Sequence, residues 1–248
     1  MTDAPAIREL LPSSRLLSGP ADLEDFYAVP ARRHLRLDFV SSLDGAVELH
    51  GRSGPLGGGA DRAAFLAMRA VADVVLVGAG TVRAEGYGPV GLDEDARGRR
   101  LRRGQAEIPA LAVVTARGAL DPDARIFGGK RRVLVLTSAA AAGVNPELTR
   151  VADVVVCGDD RVDLRSALSA LAGRGLTRVL CEGGPELTRS LLIAGVVDEL
   201  CLTFSPVVAG AGHRGLGGDG PLPGPVQFSL EGLLHGGGML LARYRRAA

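Results

Sequence analysis

Between His34 and Cys181 six short β-rich runs recur, at 34–40 (HLRLDFV), 74–77 (VVLV), 110–114 (ALAVV), 133–136 (VLVL), 154–157 (VVVC) and 178–181 (RVLC). Several are apolar at consecutive positions, the pattern of strands covered on both faces, as in a parallel sheet. Helical patterns lie among them at 60–72 (ADRAAFLAMRAVA), 163–172 (DLRSALSALA) and 185–194 (PELTRSLLIA). In the last, Pro185 suits a first helical turn and Glu186 complements the helix dipole. This alternation predicts an α/β fold, with a mostly parallel central sheet flanked by helices. The rhythm then breaks. Runs at 199–206, 226–230 and 239–245 have no helix between them and predict antiparallel C-terminal strands at a sheet edge. Residues 1–33, interrupted by Pro5, Pro12, Pro20 and Pro30, read as an N-terminal arm with one short helix near 22–27. Residues 34–248 read as a single domain.

Composition narrows the partners. The 248 residues carry 29 basic and 28 acidic side chains, so no field of one sign draws in nucleic acid or acidic lipid. A small-molecule partner is the expectation. Gly and Pro number 35 and 14 beside nine aromatic residues, which predicts a core of Val, Leu and Ala and many turns or close backbone approaches. Cys157, Cys181 and Cys201 lie far apart, form no CxxC pair and read as buried thiols; no metal site is expected. His34, His50, His213 and His235 have no metal-like spacing and read as structural or solvated. No apolar stretch approaches ~18 residues, and the first residues lack a basic-then-apolar signal, so a cytoplasmic location is expected.

Three glycine clusters stand just past strand ends, where α/β proteins bind ligands. They are Gly78, Gly80 and Thr81 in VLVGAGTV, Glu182, Gly183 and Gly184 in LCEGGPEL, and Ser41, Ser42, Asp44 and Gly45 in SSLDGAV. Each alone reads equally as a tight turn. Together they favour an anion or dinucleotide site, because missing Cβ atoms let phosphate reach backbone N–H groups at a helix start. G-x-G-x-x-G fails, since Arg83 stands where the third glycine belongs, and no P-loop or G-x-S-x-G is present. The stretch 91–109, with Arg97, Arg99, Arg100, Arg102 and Arg103, reads as a solvated loop, or else as a cofactor-phosphate or partner contact. The glycine- and proline-rich 209–225 reads as a loop.

SSLDG, SGP at 53–55, DR at 61–62, MRAVADVVLVGAGTV at 68–82 and CEGGPEL at 181–187 resemble the reductase domain of riboflavin biosynthesis in order and spacing, over about 34–206. That resemblance implies a dihydrofolate-reductase-like fold, NADPH as cofactor, a homodimer, and reduction of the ribosylamino group of 5-amino-6-(5-phosphoribosylamino)uracil at C1′. The deaminase motifs H-x-E and P-C-x-x-C are absent, so the chain resembles a stand-alone reductase domain. By the same resemblance Val40, Gly78, Gly80, Thr81, Glu85 and the run Gly183, Gly184, Pro185, Glu186 and Leu187 meet the cofactor. Asp38, Asp44, Ser53, Arg69 and Glu182 fall on the substrate side. An arginine suits a phosphorylated ribose, although Arg69 could equally pair with Asp73 one helical turn on.

Two departures fall on the substrate side. After the TV of that motif the family has an acidic residue, Asn-Pro and a leucine; here Glu85 is followed by Gly86, Tyr87, Gly88 and Pro89. Asp38 stands where relatives have lysine or asparagine. Three readings stay open: the ribosylaminouracil reductase, an NADPH-dependent reductase of a pterin such as dihydrofolate, and a non-catalytic NADPH-binding module. Glu182 is the first choice for the proton that accompanies hydride, with Asp44, Asp38 and water as alternatives. Thr115 and Arg117 are candidates for the cofactor 2′-phosphate.

Overall fold

The computed structural model describes residues 5–210, 214–218 and 220–247. In chain order the first elements are β1 (Ile7–Leu11), β2 (Arg15–Leu16), α1 (Pro20–Tyr27), β3 (His34–Ser41), α2 (Gly59–Val71), β4 (Val74–Gly78), α3 (Ala79–Glu85), α4 (Glu94–Arg102) and β5 (Ala110–Val114). There follow β6 (Val133–Thr137), α5 (Ala139–Ala142), α6 (Leu148–Val151), β7 (Ala152–Val156), α7 (Leu164–Ala172), β8 (Arg178–Cys181), α8 (Pro185–Ile193), β9 (Glu199–Phe204), β10 (Phe228–Gly236) and β11 (Met239–Arg246). All eleven strands form one sheet in the order β2-β1-β10-β11-β9-β3-β8-β4-β5-β6-β7.

The six expected strands run parallel; the consecutive apolar residues of β4, β6 and β8 are buried on both faces, whereas β7 is the far edge strand and exposes Val156. On one face the small residues Ala60, Ala64 and Ala67 with Met68 and Val71 let α2 lie close against the sheet. On the other, Leu164, Leu168 and Leu171 of α7 and Leu187 and Leu191 of α8 cover Leu35, Leu37, Leu76 and Val179. All three cysteines are buried and unpaired.

Three expectations need correction. The run at 199–206 is not an edge strand: β9 pairs antiparallel with β11 but parallel with β3, so it joins the two halves of the sheet. The edge is supplied by residues 7–16, which the sequence reading left as an arm; β1 pairs with β10 and carries β2 outside it. Their shortness and the interrupting prolines hid them. The third correction is α4, inside a stretch read as a loop. Its buried residues are Ala96 and Arg100, so it has no apolar stripe. Its helical signals are electrostatic: the Asp93 carboxylate accepts from Ala96 N–H at 2.7 Å, acids fill the first turn and arginines the last.

That arginine cluster is a structural clamp. Arg99 and Arg103 pair with the buried Glu24 of α1. Arg100 donates to the carbonyls of Arg69, Ala70 and Ala72 at 3.2, 3.0 and 2.6 Å, capping the C-terminal end of α2. Burial lowers its pKa to about 10. A second buried network centres on Glu199, which accepts from Arg36 and Arg243 and bonds to His34 at 2.7 Å; the two arginines also hold the Tyr27 and Phe26 carbonyls of α1. Thus His34 is structural. His213 lies outside the described residues.

Candidate active site

A cavity of about 680 Å³ opens at the C-terminal ends of β3, β4 and β8 and is large enough for a cofactor and a small substrate. Nine of the ten residues expected to meet the cofactor line it: Val40, Gly78, Gly80, Thr81, Glu85, Gly184, Pro185, Glu186 and Leu187. Gly183 lies immediately behind, with φ +84°, a conformation that favours glycine. Its peptide to Gly184 is cis, and its carbonyl accepts the Gly78 N–H at 2.8 Å, stitching two strand ends together. A Cβ on Gly184 would stand 2.5 Å from Thr81 Oγ1. The α8 helix starts at this point with no side-chain cap, so its first-turn N–H groups face outward as a ready site for a negative group. This cradle of bare backbone fits the pyrophosphate of a dinucleotide.

The opposite wall is built from charged side chains. Asp38, Ser53 and Glu182 line the cavity; Arg69 and Asp44 do not. Arg69 stands behind Glu182 and donates to both its oxygens, at 2.7 and 2.8 Å, rather than to Asp73, which Arg178 holds at 2.6 Å. Arg69 also donates to the Tyr87 hydroxyl at 2.6 Å, and Tyr87 in turn donates to Glu182. Its guanidinium lies 4.1 Å from the ring centre of Phe65. Burial works against the Arg69 charge, but the hydrogen bond and charge of Glu182 outweigh it and raise the pKa. Burial, then the Glu182 charge, pushes the Tyr87 hydroxyl well above its ordinary range, so it stays a donor.

Asp38 has a different environment. Burial, followed by the charges of Asp61 and Glu182, raises its carboxyl well above the usual range, against the opposing pull of Arg36 and Arg69. Asp61 on α2 also lines the cavity; burial raises it too, offset in part by a hydrogen bond with Thr203. Asp44 has turned away. It accepts from Ala209 and Gly210 N–H at 3.0 and 2.7 Å and from the Ser42 hydroxyl, and these bonds, the Ala209 one foremost, hold it far below the usual range. Its task is to fasten the start of the 209–225 loop. That loop continues along α8, with Arg189 holding the Pro221 carbonyl at 2.7 Å.

Ser53 and Glu85, expected on opposite sides, meet at the exposed mouth, where Ser53 donates through its N–H at 3.1 Å and its hydroxyl at 3.3 Å. Thr115 and Arg117 are not on the cavity wall, and the Thr115 carbonyl is taken by Thr137. Sequence reasoning missed Tyr87, Asp61 and Phe65 as site residues. In the sequence Tyr87 stands out only as part of the departure after TV, and no local signal ties its hydroxyl to Glu182. Among the described residues no group of three His, Cys, Asp or Glu side chains could hold a metal, and no helix is long and apolar enough to cross a membrane.

The parallel sheet with an antiparallel C-terminal extension, the glycine cradle and the cavity at the strand ends define a dihydrofolate-reductase-like α/β domain, as expected. The chain belongs to the RibD C-terminal domain family, whose match spans residues 33–241. It is 33% identical over 144 residues to the 2,5-diamino-6-ribosylamino-4(3H)-pyrimidinone 5′-phosphate reductase of Archaeoglobus fulgidus, a match over 58% of this chain and 66% of that one, just under two thirds. To the reductase of the same name from Methanothermobacter thermautotrophicus it is 29% identical, over 72% of this chain and 80% of that one. Among solved structures, a pyrimidine reductase-like protein from Corynebacterium diphtheriae superposes with a TM-score of 0.78 at 27% identity, covering 91% of this chain and 99% of the other.

Proposed function

We propose that the protein reduces a ribosylaminopyrimidine 5′-phosphate at C1′ of its opened sugar, with NADPH as the reductant. The observation that carries this reading is one cavity holding both the glycine cradle and the carboxyl-rich wall. When bound, the cofactor supplies a hydride. The chain's own residues do the rest. Backbone N–H groups at the start of α8 and the bare edges of Gly78, Gly80 and Gly184 hold the pyrophosphate. Glu182, its two oxygens fixed by Arg69 and Tyr87, is an immobile acceptor that orients a substrate donor such as a sugar hydroxyl. That role, with both oxygens accepting bonds, departs from the expectation that Glu182 is the first-choice proton donor.

The curated relatives are named for the 2,5-diaminopyrimidinone, which carries an amino group where the aminouracil has a carbonyl. Asp61 on the wall favours a ring edge rich in donors, so the diamino compound is the preferred form. With Asp38 serving as a second acceptor instead, the same wall would suit the 2-aminopyrimidine edge of a pterin, which keeps dihydrofolate as the second reading. Steady-state assays with the diaminopyrimidinone, the aminouracil and dihydrofolate separate these. Highest kcat/KM on the diaminopyrimidinone is the expected result; turnover of dihydrofolate alone favours the second reading, and cofactor binding without any turnover favours the binding module. The homodimer and cytoplasmic location implied by the resemblance belong to the same proposal, and light scattering at assay concentration tests the former.

A further inference from the structure

Reduction of the ribosylamino group requires a proton as well as a hydride, and among the described residues six carboxyl side chains line the cavity: Asp38, Glu48, Asp61, Glu85, Glu182 and Glu186. Their surroundings sort them. Glu182 is occupied by Arg69 and Tyr87. Glu85 is at the exposed mouth, bonded to Ser53. Glu186 opens α8 on the cofactor side, with Gly218 of the late loop packed against its carboxyl. Glu48 is half-buried in the loop after β3. Asp61 is bonded to Thr203. Asp38 and Glu48 are both half-buried, line the cavity and make no side-chain hydrogen bond among the described residues, but of the six only Asp38 stands on a strand of the sheet, on the wall it shares with Asp61 and Glu182.

Its position on β3 follows from the pleat. Leu35 and Leu37 point to the α7–α8 side, so Arg36 and Asp38 point to the α2 side, where Asp61, Arg69 and Glu182 also stand. On the same side the Tyr27 hydroxyl of α1 and the Cys201 thiol of β9 feel its charge, as does the Cys181 thiol of β8 from the other face of the sheet. Burial first of all raises all three, so none contributes a charge at neutral pH. The charged neighbours are therefore Arg36 and Arg69 on one side and Glu182 on the other, with Asp61 sharing the buried acidic wall.

We infer that Asp38 is the proton donor of the reaction, a role that rests on the proposed reductase activity and is peculiar to a chain with a carboxyl at this place. As C1′ of the opened C1′=N substrate takes a hydride, its π pair moves to nitrogen, and Asp38 releases its proton there. One C–H and one N–H bond form, the C=N bond becomes single, and a reduced nicotinamide loses two electrons. The Asp38 carboxylate then recovers a proton from water through the open mouth. Two carboxyls thus divide the labour by environment, Glu182 held as an acceptor by Arg69 and Tyr87, and Asp38 enclosed without a bonding partner, where burial favours its protonated form.

The test is the pH profile of wild type, Asp38→Asn and Asp61→Asn with the diaminopyrimidinone phosphate and NADPH. Wild-type kcat falls on the basic side as Asp38 loses its proton. In D38N, kcat drops about 100-fold or more, within the usual range for a lost general acid, and the basic limb disappears while KM moves little. D61N raises KM and keeps the limb. A D38N enzyme with undiminished kcat and an unchanged limb overturns the inference, whereas a wild type inactive on both ribosylaminopyrimidines overturns the proposed function instead. A second measurement needs no substrate. A carboxyl whose folded pKa is raised destabilises the fold as pH rises from the unfolded value of about 3.9, so D38N is more stable than wild type at neutral pH, and the gap closes on acidification. Coincident stability curves at every pH overturn the inference.

Discussion

The two walls of the cavity are made of different material. The cofactor wall is backbone: Gly78, Gly80 and Gly184 present no side chain, and α8 begins without a cap. The substrate wall is side chain: Asp38 from β3, Asp61 from α2 and Glu182 from the end of β8, the last braced from behind by Arg69 of α2 and Tyr87 of the loop after α3. A backbone wall recognises what every dinucleotide shares, and at Gly184 it has no room for an added Cβ. A side-chain wall is assembled from distant parts of the chain and can be rewritten one residue at a time. Lesions in the first should change cofactor affinity alone, and lesions in the second turnover and stability.

The largest effect is expected from Arg69→Met. Arg69 and Glu182 are 12% and 5% exposed, and removing one partner leaves the other charge buried at a cost of about 3–5 kcal/mol. Chemical denaturation reads this as a lowered midpoint at unchanged slope, and the double variant R69M/E182Q recovers part of the loss. A substrate-contact role for Arg69 alone would instead leave stability untouched. Next is Gly184→Val, which forces branched atoms into the space 2.5 Å from Thr81 Oγ1. Overpacking of about 1–3 kcal/mol corresponds to roughly 5- to 150-fold weaker NADPH binding by fluorescence titration. Bonds from Arg69 and Tyr87 to Glu182 should persist in its structure. If G184V binds cofactor normally but loses kcat, the division between the walls is wrong.

Tyr87→Phe deletes two charge-assisted hydrogen bonds, the one donated to Glu182 and the one accepted from Arg69, and lowers kcat/KM about tenfold, with cofactor affinity unchanged. The smallest effect belongs to Asp44. Its pKa is depressed in the fold, so it contributes stability above the unfolded value of about 3.9 that is lost as pH falls through the folded value. Asp44→Asn therefore shallows the acid side of the stability curve. Limited proteolysis should also cut D44N faster within 209–225, because the amide keeps one acceptor oxygen and one of the two backbone anchors is gone.

This contrast explains what could be read in advance. The glycine cradle was legible because its chemistry demands a missing Cβ at fixed offsets from strand ends, a local signal in Gly78, Gly80 and Gly184. The parallel strands were legible because burial on both faces writes consecutive apolar residues. The Tyr87–Glu182 bond spans 95 residues and leaves no local trace. Neither does the choice of Arg69 between Asp73 and Glu182, which depends on how the end of α2 meets β8. The α4 helix escaped because a guanidinium, Arg100, occupies the place of an apolar anchor. Residues 7–16 escaped because a two-residue strand such as β2 has no periodicity to detect.

The central claim is that both walls serve one reaction. Its most direct measurement is a single-turnover experiment, with enzyme and NADPH in excess over the diaminopyrimidinone 5′-phosphate, following loss of the reduced nicotinamide absorbance and formation of the ribitylamino product. One cofactor oxidised per product formed, with deuterium from 4-deuterated cofactor recovered at C1′, is the predicted result. Tight NADPH binding with no oxidation in the presence of either ribosylaminopyrimidine would contradict it.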